Sequence, residues 1–263
     1  MIKLKLGIST CPNDTYIFGA MIKGLVEHRF DLDVYMDDVQ VLNKLAIDGR
    51  ADVIKVSYGV VPHVMDRYKV LKAGGALGFG CGPLVVSAED VPVESLRGNK
   101  IAIPGVNTSA FRFFKMFFGE EFEFVELRFD LIMPAIAAKQ VAAGVIIHEG
   151  RFIYEQQGLK KLCDLGELYE KKFSSPIPLG AIIIRNELLE HAAEITETIR
   201  KSIRFADENY EKIEDFVRFH AQELDDSVVK NHIQLYVNKY SKDVEPAIDG
   251  LCSFLGADRS VFV

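Results

Sequence analysis

His148 ends an apolar run, Gly144-Val145-Ile146-Ile147, and is followed by Glu149-Gly150-Arg151. The run reads as a buried strand. A histidine at its carboxyl end suits proton transfer, because an unperturbed imidazole titrates near pH 6.5. The same residue could equally cap a helix or bond a backbone carbonyl. His28, His63, His191, His220 and His232 fall in helix-patterned or loop stretches, where surface or packing roles are expected. Zinc-protease chemistry is excluded, since no second histidine lies four residues from His148.

Asn107-Thr108-Ser109-Ala110 follows a strand and turn, Ile101-Ala102-Ile103-Pro104-Gly105, and opens a helix rich in phenylalanine. Thr108 or Ser109 is first an N-cap. The same geometry aims amide N–H groups and the positive end of the helix dipole at an anion such as a substrate carboxylate. Ser9-Thr10-Cys11-Pro12-Asn13-Asp14-Thr15 forms a second turn of this kind. Lys55-Val56-Ser57-Tyr58 offers an ammonium, a hydroxyl and a backbone at another strand end. The glycine run from Gly74 to Gly82 opens no helix and is followed by Pro83, so it is neither a Rossmann nor a P-loop. It reads as a close-packed loop bordering a cleft.

Short Val- and Ile-rich runs alternate with amphipathic stretches, the pattern of α/β construction. Strands are predicted at 3–8, 31–36, 53–56, 84–87, 100–103, 123–127, 143–147 and 181–184. Helices are predicted at 16–23, 39–48, 59–65, 109–118, 133–138 and 152–157. The tail from Asn186 to Ser260 is nearly all helical in pattern. Two units share one phrasing, Leu45–Ser57 and Ile136–His148: a helix, a tight turn, then a strand ending on a polar residue. Ligands in open α/β sheets sit beyond the carboxyl ends of strands, so Ser57 and His148 could face one cleft. A polar connector after Ser87 and a return segment at Pro176–Gly180 suggest that the chain crosses twice between two lobes. The expected division is 1–88 plus 185–263 against 92–180, a two-lobed arrangement like that of type II periplasmic-binding proteins with a central cleft.

Composition narrows the partners. Of 263 residues, 49% are apolar and 26% charged, enough for a sizeable core. Net charge is −7, and no basic run exceeds two residues, which argues against nucleic acid. No stretch approaches the roughly 18–20 apolar residues of a membrane span, and no apolar signal-peptide segment follows the first lysines. Cys11, Cys81, Cys163 and Cys252 are too scattered for a metal motif. Free thiols in a reducing cytoplasm are expected.

Six segments together resemble the 1,4-dihydroxy-6-naphthoate synthases of the futalosine route to menaquinone. They are 9–15, 55–58, 74–78, 82–86, Ile147-His148-Glu149-Gly150-Arg151-Phe152 and Pro178-Leu179-Gly180-Ala181. The resemblance runs in order from the first strand to the second crossover; the C-terminal helices add little to it. It implies a carbon–carbon lyase that converts cyclic dehypoxanthine futalosine, a small anion, to 1,4-dihydroxy-6-naphthoate and dihydroxyacetone, with no metal and no organic cofactor. His148 would be the proton acceptor, and Lys55, Val56, Ser57, Thr108, Ser109 and Ala110 would line the substrate site. Two positions depart from the family's habit: Thr10, where proline is common, and Ser109, where threonine is frequent. A second copy of the chain is the one macromolecular partner left open. The competing readings are chorismate dehydratase, against which His148-Glu149-Gly150 argues, and a non-catalytic solute-binding protein, a more frequent user of such a fold.

Overall fold

A computed structural model describes residues 2–221 and 225–263; Met1 and the part of the expected helical tail at 222–224 lie outside them. Among the described residues, eleven strands form two sheets. The first contains β1 (Ile2–Ile8), β2 (Phe30–Met36), β3 (Val53–Ser57), β4 (Tyr68–Val70), β5 (Ala76–Gly78) and β11 (Ile177–Arg185), in the order β2-β1-β3-β11-β4 with β5 also paired to β11. The second contains β6 (Leu84–Ser87), β7 (Lys100–Ile103), β8 (Glu123–Glu126), β9 (Ala143–Ile146) and β10 (Lys160–Asp164), in the order β10-β6-β9-β7-β8. Helices α1 (Pro12–Ile22), α2 (Val39–Ile47), α3 (Ser109–Phe118), α4 (Phe129–Ala137), α5 (Gly150–Ile153) and α6 (Leu165–Phe173) connect strands. Helices α7 (Ala192–Glu208), α8 (Glu214–His220), α9 (Asp226–Tyr236), α10 (Lys239–Lys242) and α11 (Ile248–Leu255) form the tail. No helix among the described residues is long and apolar enough to cross a membrane.

Sheet membership refines the expected crossovers. β6 pairs with β9 and β10 of the second sheet, so the chain leaves the first sheet within residues 79–83, before Leu84–Ser87 rather than after it. The return lies within 165–176, and β11 is nine residues long, more than twice the predicted strand.

Both helix–turn–strand units form. α2 ends with Gly49 at φ 65°, and α4 ends with Lys139 at φ 56°. In each, the next two amides bond back to carbonyls of the last turn: Gly49 to Ala46 and Arg50 to Leu45, Lys139 to Ile136 and Gln140 to Ala135. This pair of hydrogen bonds satisfies carbonyls that a helix end would otherwise leave bare. The following strands, β3 and β9, are fully buried and run toward the seam between the sheets.

The seam is tightly closed. A Cβ added to Gly59 would lie 2.5 Å from the Thr108 carbonyl carbon and 2.7 Å from the Ser109 nitrogen, so the loop after β3 rests directly on the start of α3. Gln40 Nε2 donates to Glu126 Oε2 at 3.1 Å and Asn43 Nδ2 to the Asn107 carbonyl at 3.3 Å, tying α2 to the opposite sheet.

Candidate active site

The carboxyl ends of β1 and β3 from one sheet, and of β7 and β9 from the other, meet around a cavity of about 80 Å³. Lys55, Ser57, Thr108, Ser109, Ala110 and His148 all line it. Val56 does not: side chains alternate along a strand, so it points away from Lys55 and Ser57 into the apolar core.

β3 delivers Lys55 against Asp14 at the start of α1, and the two form a buried ion pair. Asp14 also accepts from the Ser9 hydroxyl at 2.7 Å, the Ser9 amide at 3.2 Å and Asn13 Nδ2 at 2.8 Å. The carboxylate is saturated, and the Lys55 charge is neutralised where it lies. Gly180 leaves room for this reach, since a Cβ there would stand 2.5 Å from Lys55 Cε.

At the α3 terminus, Thr108 Oγ1 accepts from the Phe111 amide at 3.2 Å, the N-cap expected from sequence. Ser57 Oγ accepts from the Ser109 amide at 2.7 Å and lies 3.0 Å from Ser109 Oγ. The Ser109 amide is therefore taken by the opposite lobe's hydroxyl, and Ala110 supplies the first-turn N–H that these two hydroxyls leave. With Lys55 paired to Asp14, the donors at this end of the cavity are neutral hydroxyls and amides.

His148 follows β9 at φ 55°, a left-handed conformation uncommon for a residue with a Cβ and characteristic of functional turns. Its Nδ1 lies 3.4 Å from Cys11 Sγ. The Phe129 ring stands edge-on at 5.0 Å between centroids. Its Nε2 is buried without a hydrogen-bond partner. Burial lowers its pKa to about 4, with Asp14 opposing and Lys55 reinforcing the shift, so the ring is neutral at pH 7. Cys11 is held as a thiol, its pKa pushed well up by burial and then by Glu149 and Asp14.

The sequence pattern suggests a surface or packing role for His232. α9 buries it beside the cavity, 1% exposed, parallel to His148 with centroids 6.3 Å apart. Asn13 and Asp14 of the turn at 9–15, and Cys81 of the glycine run, also line the cavity, as does Tyr236, which the sequence reading does not single out. The clue to His232 is its place on the Val229, His232, Ile233, Tyr236 stripe of α9, where a polar ring among apolar neighbours needs a partner. Arg151 serves the fold rather than the cavity. It donates to the Gly82 carbonyl at 2.6 Å and to Asp164 at 2.7 Å, pinning α5 against the turn before β6.

The chain matches the menaquinone biosynthesis family over residues 4–258. It is 43% identical to the 1,4-dihydroxy-6-naphthoate synthase of Thermus thermophilus over 93% of this chain and 89% of that protein. It is 39% identical to the synthase of the same name from Streptomyces coelicolor, over 98% of both. An Archaeoglobus fulgidus crystal structure superposes with a TM-score of 0.90 at 32% identity, covering 97% of this chain and 95% of that one. The alkanesulfonate-binding protein of Xanthomonas axonopodis pv. citri, solved with MOPS, gives 0.70 at 12% identity over 100% and 98%, a likeness of fold alone. The two-lobed periplasmic-binding-protein-like fold is thus used here by an enzyme lineage, and the chain belongs to the menaquinone biosynthesis family, among its 1,4-dihydroxy-6-naphthoate synthases.

Proposed function

We propose that this protein cleaves cyclic dehypoxanthine futalosine to 1,4-dihydroxy-6-naphthoate and dihydroxyacetone, with His148 as general base. The observation that carries the reading is a neutral imidazole at the seam of the two sheets with its Nε2 covered and unbonded. The names of the relatives support the naphthoate product.

The furanose ring opens first, and a retro-aldol-like step follows. In each, a hydroxyl gives its proton to a base and its oxygen forms a C=O bond. The broken bond's electron pair ends on another oxygen, which recovers a proton. Aromatisation of the bicycle drives the second step. A positioned base supplies roughly 10²–10⁴-fold. Ser57, Ser109 and the Ala110 amide bind the carboxylate or the developing oxyanion, and the Lys55–Asp14 pair keeps the floor of the site rigid.

The cavity of about 80 Å³ is far below the roughly 300–1,000 Å³ of ligand pockets. Substrate therefore enters when the lobes part, and reclosure on it excludes water. We take the lobes as the sequence divides them, 1–88 plus 185–263 against 92–180, with β6 moved to the second. A cytoplasmic setting keeps the four free cysteines reduced. The test is to incubate the protein separately with cyclic dehypoxanthine futalosine and with chorismate. Naphthoate from the first alone supports the reading. Turnover of chorismate, or release of the first compound unchanged, contradicts it.

A further inference from the structure

Among the described residues, buried side-chain nitrogens without hydrogen-bond partners include His148 Nε2 and His232 Nδ1, both beside one cavity. Leaving such an atom unpaired is costly, so two together mark a place where something else supplies the bonds.

The tautomer of His232 follows from its neighbours. Asn13 Nδ2 donates to Asp14 Oδ1 at 2.8 Å, which fixes the amide and turns Asn13 Oδ1 toward His232 Nε2, 3.0 Å away. An amide oxygen only accepts, so Nε2 carries the hydrogen. Burial, then His148 and Lys55, hold the His232 pKa well below its usual value. The neutral ring therefore presents a bare lone pair at Nδ1. Glu149 Oε2 lies 3.9 Å from that atom. A proton gained there would face a carboxylate, which stabilises the imidazolium.

We infer that His232 is a second proton acceptor of the cleft, acting through Nδ1, with Asn13 as the positioning residue that fixes its tautomer. This rests on the lyase reading above. That reaction breaks a ring C–O bond and a C–C bond, and each break begins with loss of a hydroxyl proton. His148 has one ring nitrogen beside the Cys11 thiol; His232 has one committed to Asn13. Each keeps a single nitrogen for substrate. A proton taken by Nδ1 from a hydroxyl leaves that oxygen's electron pair to form C=O. The severed bond's pair goes to the leaving oxygen, and the same imidazolium returns the proton to it. No oxidant or net proton is required.

Two measurements test this. In the wild-type protein, ¹⁵N-histidine NMR should show His232 with a protonated Nε2 and an unprotonated Nδ1 at pH 7; a proton on Nδ1 overturns the inference. For His232→Ala, kcat should fall at least 100-fold with KM changed less than fivefold, and added imidazoles should restore at least tenfold in order of basicity. Turnover within threefold of wild type, or a loss that no imidazole relieves, also overturns it. If His232→Ala does not fold, the spectrum decides alone. Wild-type protein that leaves the cyclic substrate untouched defeats the lyase reading instead, and the spectrum needs no substrate.

Discussion

The two helix–turn–strand units of this molecule are built alike and finish differently. Leu45–Ser57 delivers a hydroxyl that is pinned from several sides: the Ser57 amide donates to Asn43 Oδ1 at 2.9 Å, and its Oγ accepts from Ser109 at 2.7 Å. Ile136–His148 delivers an imidazole with one thiol contact at 3.4 Å and a left-handed backbone. A binding hydroxyl profits from rigid positioning, because ordering has been completed before the ligand arrives. A base must exchange its partner during reaction, so a loosely bonded ring in a dry site is the better design. Shared local construction sets where a side chain arrives; its neighbours decide what it does there.

The pinned side should be the more expensive to disturb. Asp14→Asn leaves Lys55 buried without its counter-charge, and breaking such a pair costs about 3–5 kcal/mol. Urea unfolding should register that loss; a change below about 1 kcal/mol would mean that the pinned wall does not depend on this pair.

Acid should act on the other side. The folded protein holds the His148 pKa near 4 while the unfolded chain titrates near 6.5. Between those values the unfolded state binds the proton that the folded state refuses, so stability falls as pH drops through that window and is unaffected above it. His232 shifts in the same direction. At pH 5 the loss from His148 is about 2 kcal/mol. Melting curves at pH 7.5 and 5 should separate less for His148→Asn than for wild type; equal separations would remove the neutral-imidazole assignment.

Gly59→Ala places a methyl into the Thr108–Ser109 backbone and should cost about 1–3 kcal/mol, with KM rising as the Ser57–Ser109 contact opens. Unchanged stability and KM would show that the seam tolerates slack. The smallest effect is a gain. Lys139→Gly, at φ 56°, removes left-handed strain that Gly49 avoids at the matching turn, worth up to about 1 kcal/mol. A lower melting temperature would break the parallel between the units.

Much of this architecture was legible because buried strands read as Val/Ile runs; β6 and β7 coincide with their predicted spans. β4 and β5, three residues each, are too short to show a period. β10 escaped because Lys160-Lys161 puts charge on an edge strand, where solvent accepts it. α6 was missed among polar residues of low mean hydropathy. At the site, His148, Ser57, Thr108 and Ser109 could be found because strand ends and a helix start place them. Asp14 and Lys55 are 41 residues apart and His232 and Asn13 219 apart; those pairings are made by packing, and no local spacing records them.

The central claim is that the uncharged His148 ring takes the substrate's proton, and His148→Asn tests it most directly. Asparagine keeps a polar side chain of similar reach but cannot accept a proton at neutral pH. With cyclic dehypoxanthine futalosine at saturation, kcat should fall roughly 10²–10⁴-fold while KM stays within a few-fold. Turnover within a few-fold of wild type would contradict the account.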